Sequence, residues 1–410
     1  MAVRDYPCLR LKPGREFPLL AGHPWIFGGG VASFPAGCGA GAVVQVLSSD
    51  GGFLGVGTFH PANTIRVRMF SRKQEALDRN FFSRRFSLLL AQKRRWLPPD
   101  TEGFRLVHAD ADYLPGLVVD LYGGTAVFQV HTAGMDACRK TLVEVLCDPS
   151  GPVKAGCVVE RSDVEARRQD GLKPRPAEVH HGEVTGPVLF REGGLSVYAD
   201  VLAGQKTGFF LDQRETRLRL KSLAAGRRVV NLFSYSCSFG LAAMAGGARE
   251  VLNVDTSSAA LDLGRRVFSE NGYAEDIKSG RVRFEAADVF DYLETKKEEL
   301  RAFLAGGLLV CDPPAFAKSA AHLEQAKKAY TGLARLCFEL LAPGAVFITS
   351  SCSGVLPDAE FAAVLRVAAG RTGKKVRVLS AFGQPFDHTT LLAFPEGPYL
   401  KGRVMEIIED

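Results

Sequence analysis

The chain has 410 residues, 46% of them hydrophobic and 23% charged, and a formal net charge of +6, the profile of an ordinary soluble protein able to bury sizeable cores in two or three domains. No stretch approaches the roughly 20 apolar residues that span a bilayer, and the amino end, with Arg4 and Asp5, lacks an apolar signal core. Membrane partners are therefore excluded and a cytoplasmic location is expected.

Residues 1–73 carry most of the charge. They hold eight Lys/Arg (Arg4, Arg10, Lys12, Arg15, Arg66, Arg68, Arg72 and Lys73) against three acids, whereas the remainder holds 43 against 42. Such a module suits a nucleic-acid handle, because phosphate contacts supply sequence-independent affinity, although a solvated basic surface would look the same. Apolar runs at residues 42–47, 53–58 and 65–70, separated by Gly- and Ser-rich turns, predict a small all-β barrel. A basic helix is expected over residues 79–96, ended by Pro98-Pro99, and strands over 116–121 and 125–131, giving an α+β middle domain. Residues 171–186 turn polar and Pro-rich and predict a linker. The expected boundaries are 1–73, 74–185 and 186–410.

From residue 226 apolar runs (228–233, 250–254, 281–286, 307–311, 345–350) alternate with helix-compatible stretches such as 257–271 and 321–341. This alternation predicts an α/β, doubly wound parallel sheet with its ligand at the carboxyl ends of the strands. The loop Asn231-Leu-Phe-Ser-Tyr-Ser-Cys-Ser-Phe-Gly240 follows the first strand where backbone amides meet a nucleotide-type cofactor, which makes Phe233, Ser234, Tyr235 and Ser236 candidate contacts. Its glycine spacing is not that of a dinucleotide site, which disfavours a nicotinamide oxidoreductase. Asp255 ends the second strand, where an acid can accept from ribose hydroxyls, and Asp288 ends the third, near where an adenine ring would lie. Each Asp alone would pass for a helix cap. In register on successive strands they point to one cofactor cleft.

Cys311-Asp-Pro-Pro314 ends the fourth strand, and its prolines fix a rigid exit that holds Asp312 towards the cleft. The fifth strand runs into Thr349-Ser-Ser-Cys-Ser-Gly354, which places Cys352 next door in a polar loop rather than an apolar core. A thiolate and an acid are what alkylation of cytosine carbon 5 demands, since that carbon becomes nucleophilic only after a thiolate adds to its neighbour. The nine cysteines include no Cys-x-x-Cys pair and no His cluster lies at zinc-ligand spacing, so thiols are expected and no metal site.

With these residues in view, the chain resembles the RlmI-like family of bacterial large-subunit ribosomal RNA cytosine-5 methyltransferases, from Leu9 to Met405. The resemblance is carried by Lys12-Pro-Gly-Arg15, His23-Pro-Trp-Ile-Phe27, Asp112-Tyr-Leu-Pro-Gly-Leu-Val-Val-Asp120, Glu160-Arg-Ser-Asp-Val164, and Lys206-Thr-Gly-Phe-Phe-Leu-Asp-Gln-Arg214. The Asn231 loop, Val254-Asp-Thr256, Asp312-Pro-Pro314, Ser351-Cys-Ser-Gly354, Asp387-His388 and Pro395-Glu-Gly-Pro-Tyr-Leu-Lys-Gly402 complete it. It implies a class I (Rossmann-like) methyltransferase domain, a PUA domain at the amino end and S-adenosyl-L-methionine as cofactor. Cys352 is then the nucleophile with Asp312 beside it, and Phe210, Gln213, Arg214 and Asp312 join the cofactor contacts. Ribosomal RNA is the implied partner, held through Arg10, Lys12, Arg15, Arg66 and Arg68, and an association of two copies stays open. Cys237 and Ser238 stand where the family often has two glycines, and Ala315 where it often has Lys. Methylation of an RNA nitrogen on the same fold, or a non-catalytic RNA-binding assembly factor, remain as alternatives.

Overall fold

The computed structural model describes residues 6–317 and 319–409, so Arg4 and Asp5 of the basic module lie outside the described residues. The chain divides into two compact units. One comprises the residues up to Gly194 with Ala199–Leu211 and Phe386–Gly397; the other comprises Leu195–Tyr198, Asp212–Pro385 and the residues from Pro398.

The first unit holds two sheets with separate cores. Strands β1 (Cys8–Leu11), β2 (Trp25–Phe27), β3 (Val31–Ser33), β4 (Val43–Leu47), β5 (Phe53–Phe59) and β6 (Ile65–Ser71) form a sheet in the order β2-β6-β5-β4-β1-β3. The apolar runs correctly mark β4, β5 and β6, whereas the short β1 to β3 escape a reading by runs. In β1 the period of two buries Leu9 and Leu11 and exposes Cys8 and Arg10. Leu9, Leu11, Leu19, Val44, Val46 and Val67 make this core.

The second sheet, in the order β11-β10-β9-β8-β7, comprises β7 (Gly103–His108), β8 (Leu117–Tyr122), β9 (Thr125–Val130), β10 (Cys157–Glu160) and β11 (Glu178–His181). The expected basic helix is Arg79–Arg94, capped by Asp78, whose carboxylate accepts from the Phe81 amide at 2.9 Å. Its Phe81, Phe82, Phe86 and Leu89 pack with Leu106, Val119 and Phe128 of the sheet. The stretch 171–186, expected as a linker, contains β11, which pairs antiparallel with β10. It reads as a linker because it is a polar edge strand with Glu178, Val179 and His181 exposed. Strands β12 (Val188–Glu192) and β13 (Leu195–Ala199), also unexpected, flank Gly193-Gly194, whose φ of 58° and 82° suits glycine.

The second unit is built on β14 (Arg228–Leu232), β15 (Glu250–Asp255), β16 (Val282–Ala286), β17 (Leu308–Cys311), β18 (Val346–Ser351), β19 (Lys375–Phe382) and β20 (Lys401–Ile408). Their order is β16-β15-β14-β17-β18-β20-β19. The first five are parallel and match the expected runs to within one residue. β20 runs antiparallel to both β18 and β19, so the sheet is mixed rather than wholly parallel. β19 was hidden because its exposed Val378 and Leu379 break any alternation. Helices Ser238–Ala245, Ser258–Glu270, Leu323–Leu340 and Asp358–Arg371 connect the strands. Among the described residues no helix is long and apolar enough to cross a membrane. Strand order reverses between β14 and β17, and such a switch point opens a crevice at the carboxyl ends.

Candidate functional site at the carboxyl ends of the strands

The parallel register decides what meets at that crevice. Leu232 pairs with both Val254 and Cys311, and Cys311 with Thr349, so the loops after β14, β15, β17 and β18 leave the sheet side by side. Phe233, Asp255, Asp312 and Cys352 stand on those loops, and Asp288 lies two residues past β16.

The loop after β14 is wound tightly. Phe233, Tyr235 and Cys237 take left-handed φ of 56°, 47° and 61°, a conformation that costs a non-glycine residue about 1–3 kcal/mol each. The amides inside the loop are used within the protein, that of Ser234 on Val254 O at 3.1 Å and that of Tyr235 on the Asp255 carboxylate at 2.8 Å. The Cys237 amide donates to Ser234 O at 2.7 Å and closes the loop, and Ser234 and Ser236 are buried. What the loop can present is therefore chiefly the half-buried Phe233 and Tyr235. Cys237 begins the helix Ser238–Ala245 with its thiol buried, which pushes its pKa up to about 12. Its positive φ explains why a glycine would suit that position.

Asp255 organises this loop: one carboxylate oxygen accepts from the Tyr235 amide at 2.8 Å, the other from the Ser257 amide at 2.9 Å. Each oxygen has a second lone pair, so the acid can brace the loop and still accept from a ribose. Asp288 is exposed and caps the helix Val289–Thr295, accepting from the amides of Phe290 at 2.9 Å and Asp291 at 3.2 Å. The cap and the cleft position hold together. Partly buried Phe290 follows it and joins a run of rings, with Phe233 at 6.5 Å, Phe316 at 6.4 Å, and Phe316 to Tyr330 at 4.6 Å. Sequence reasoning missed this aromatic lining, because single Phe residues in three separate segments carry no local pattern.

Asp312 is held by two donors on Oδ1: the Gln213 side-chain amide at 2.9 Å and the Ser350 hydroxyl. The same amide also reaches Ser350 Oγ at 3.2 Å, and its oxygen accepts from Thr216 at 2.7 Å. Gln213, expected at the cofactor, thus touches the candidate acid. Arg214 is buried in the helix Arg214–Leu223 that follows. Phe210 belongs to the first unit, where Lys206 Nζ lies 4.4 Å from its ring centroid.

Cys352 is half-buried between two buried serines. Ser351 donates to the Tyr330 hydroxyl at 2.9 Å, and Ser353 donates to Ala317 O at 2.7 Å. The unit's other cysteines, Cys237, Cys311 and Cys337, are buried. Burial drives the Cys311 thiol well above its ordinary range, which leaves Cys352 as the most exposed thiol of this unit's described residues. Burial also pushes the Tyr330 hydroxyl up to about 12, with the negative charges of Cys352 and Asp312 adding to the effect.

The expected RNA contacts separate into groups. Arg10 is exposed and donates to Ser49 O at 3.2 Å. Lys12 donates to Gly29 O at 3.0 Å, and Arg15 and Arg66 border Gly30 and Gly28, so three cations surround one short turn. Arg68 faces elsewhere: it stacks on Trp25 at 5.1 Å and pairs with Asp110 at 3.4 Å. Glu160, Glu178 and His180 bring ligand atoms within 4.8 Å of one another, but Arg139 and Arg175 approach Glu160 to 3.5 and 3.7 Å and already compensate the buried carboxylate.

Comparison with known proteins fits this geometry. Residues 110–369 match the family model of S-adenosylmethionine-dependent methyltransferases, and residues 9–72 that of PUA-like domains. The chain is 38% identical to ribosomal RNA large subunit methyltransferase I of Shewanella amazonensis over 402 residues, covering 97% of this chain and 99% of that protein. Its identity to the protein of the same name from Aeromonas salmonicida is 38% over 400 residues, covering 96% and 98%. A SAM-dependent methyltransferase from Streptococcus mutans shares the fold, with a TM-score of 0.79 at 24% identity over 98% of this chain and 100% of that one. With a tightly wound loop after the first parallel strand and acids at the ends of its neighbours, this chain belongs to the S-adenosylmethionine-dependent methyltransferases, in the family of the large subunit methyltransferase I proteins.

Proposed function

We propose that the protein methylates carbon 5 of a cytosine in large-subunit ribosomal RNA, with Cys352 as covalent nucleophile and Asp312 as its electrostatic partner. The reading is carried by one observation: a half-buried cysteine stands on the strand loop adjacent to an acid whose Oδ1 is fixed by Gln213 and Ser350. Methylation of a nitrogen, whose lone pair attacks directly, would need neither.

The loop at 233–236, Asp255 and Asp288 would hold S-adenosylmethionine, which would give carbon 5 an electrophilic methyl group and leave as S-adenosylhomocysteine. Cys352, as thiolate, bonds to ring carbon 6, and the electrons of the 5,6 double bond move to carbon 5. Asp312 contacts the ring nitrogen and amine, and its hydrogen bonds there lower the cost of the developing charge. Once carbon 5 carries the methyl group, a base takes its hydrogen as a proton, the double bond re-forms, and Cys352 leaves as thiolate.

RNA is engaged by the PUA-like module through Lys12, Arg15 and Arg66, with Arg10 nearby. The domains 1–73, 74–185 and 186–410 and a cytoplasmic location belong to the same reading, and the division between the first two domains is supported by the separate cores of the two amino-terminal sheets.

The test is RNA containing 5-fluorocytosine, whose fluorine cannot leave as a proton. Enzyme, RNA and methyl group should be trapped as one covalent species, with mass spectrometry finding the adduct on the Cys352 peptide. Cys352→Ala should form none and lose methylation by many orders of magnitude while still binding cofactor. An adduct on Cys237 or Cys311, or a fully active Cys352→Ala enzyme, would overturn the mechanism and favour nitrogen methylation.

A further inference from the structure

Lys401 begins β20 opposite the last residue of β18, since the antiparallel register pairs it with Ser351. From there its side chain runs beneath the loop that carries Cys352. Nζ donates to the carbonyl oxygens of Ser353 and Leu356, each at 2.6 Å. The residue is only 7% exposed. An ammonium buried this far is costly unless hydrogen-bonded and compensated by negative charge. The carboxylate within its field, Asp358, is engaged by Arg403 at 2.8 Å. Burial lowers the pKa of Lys401, while negative charge at Cys352 raises it; by reciprocity the ammonium favours the thiolate.

We propose that Lys401 is a positioning residue for the reaction: its ammonium braces residues 353–356 through two carbonyls and supplies the positive charge that favours the thiolate of Cys352. Asp312 and Tyr330 accept hydrogen bonds from Ser350 and Ser351, the two residues before Cys352. Asp312, at the end of β17, opposes the thiolate, and Tyr330, on the helix Leu323–Leu340, stays neutral at working pH. The sequence placed Lys401 only in the carboxyl-terminal motif Pro395–Gly402, with no role attached.

The inference rests on Cys352 being the nucleophile, but the titration of its thiol is read without any methylation, so the two ideas fail separately. In the full-length protein, the rate at which iodoacetamide labels the Cys352 peptide is followed against pH by mass spectrometry. The wild-type midpoint is expected below the value of about 8.5 for a free thiol. Lys401→Gln, which keeps a donor and removes the charge, should raise the midpoint by about one unit, a roughly tenfold loss of thiolate below it. Lys401→Arg should stay within about 0.3 unit of wild type, since it keeps the charge. A purely structural role would lower the melting temperature and leave the midpoint in place. A wild-type midpoint at or above 8.5, or an unmoved midpoint in a Lys401→Gln protein that still binds cofactor, overturns the proposal. Should Lys401→Gln fail to fold, the wild-type midpoint alone decides.

Discussion

Asp255 and Asp312 hold similar places at strand ends and are used differently, and the difference predicts how their loss is felt. Asp255 fastens the Tyr235 amide, and with it the left-handed turn of the cofactor loop. Asp255→Ala strands that amide and removes a ribose acceptor, so cofactor binding should weaken by about 1–3 kcal/mol. Calorimetry showing unchanged affinity in a folded variant would remove Asp255 from the site. Gln213 touches the acid instead, through a single amide that reaches both Asp312 and Ser350. Gln213→Leu should therefore lower kcat by about tenfold or more, the cost of mis-setting one hydrogen-bonded group, and leave cofactor affinity within about twofold. Equal losses in kcat and cofactor affinity would return Gln213 to the cofactor. The string Lys206–Arg214 was legible as important, but which of its side chains faces which chemistry depends on a contact spanning 99 residues, and that no local pattern encodes.

At the scale of elements, β14, β15, β17 and β18 were legible because strands buried on both faces read as near-continuous apolar runs, and the edge strand β16 by its place in the alternation with helices. Short or polar strands such as β1, β11 and β19 were not, since their place is set by a neighbour rather than by their own side chains. The joint between β14, β15 and the helix Ser238–Ala245 shows the same dependence. The Asn231 amide donates to Asn253 Oδ1 at 3.0 Å within the sheet, and Gly240 lies directly over that oxygen. A methyl group on Gly240 would collide with the Asn253 side chain. In an isolated helix Gly→Ala gains about 1 kcal/mol; here Gly240→Ala should lose about 1–3 kcal/mol through overpacking. Urea unfolding decides by the sign of the change alone. A stabilised Gly240→Ala would mean that the helix can move off the sheet without loss.

For the whole molecule, charge and titration set the conditions under which it works. The net charge of the amino-terminal module was visible in the sequence, but its arrangement was not: Arg68 is committed to Trp25 and Asp110, whereas Lys12 and Arg15 border one turn. Lys12→Glu with Arg15→Glu should therefore flatten the dependence of log affinity on log salt by about 1.4 to 1.8, two phosphate contacts' worth. An unchanged slope would move the RNA path elsewhere. Two buried histidines of the first unit resist protonation: burial, then Arg105, hold His108 well below its ordinary value, and burial, then the positive charges of Arg105, Arg167 and Arg68, lower His131 to about 4. Unfolded, a histidine titrates near 6.5. Between pH 6.5 and 4 the unfolded chain thus binds a proton that the folded chain refuses, and stability must fall as pH falls through that window. Carboxylates paired in the folded state add their own losses, mostly below it. The share of His131 is isolated by substitution: from pH 7 to pH 5 the parent should lose about 2 kcal/mol more than His131→Gln, as 1.5 units of avoided protonation imply. Urea midpoints across that range measure the difference, and parallel curves for the two proteins would show that His131 takes up its proton in the folded state.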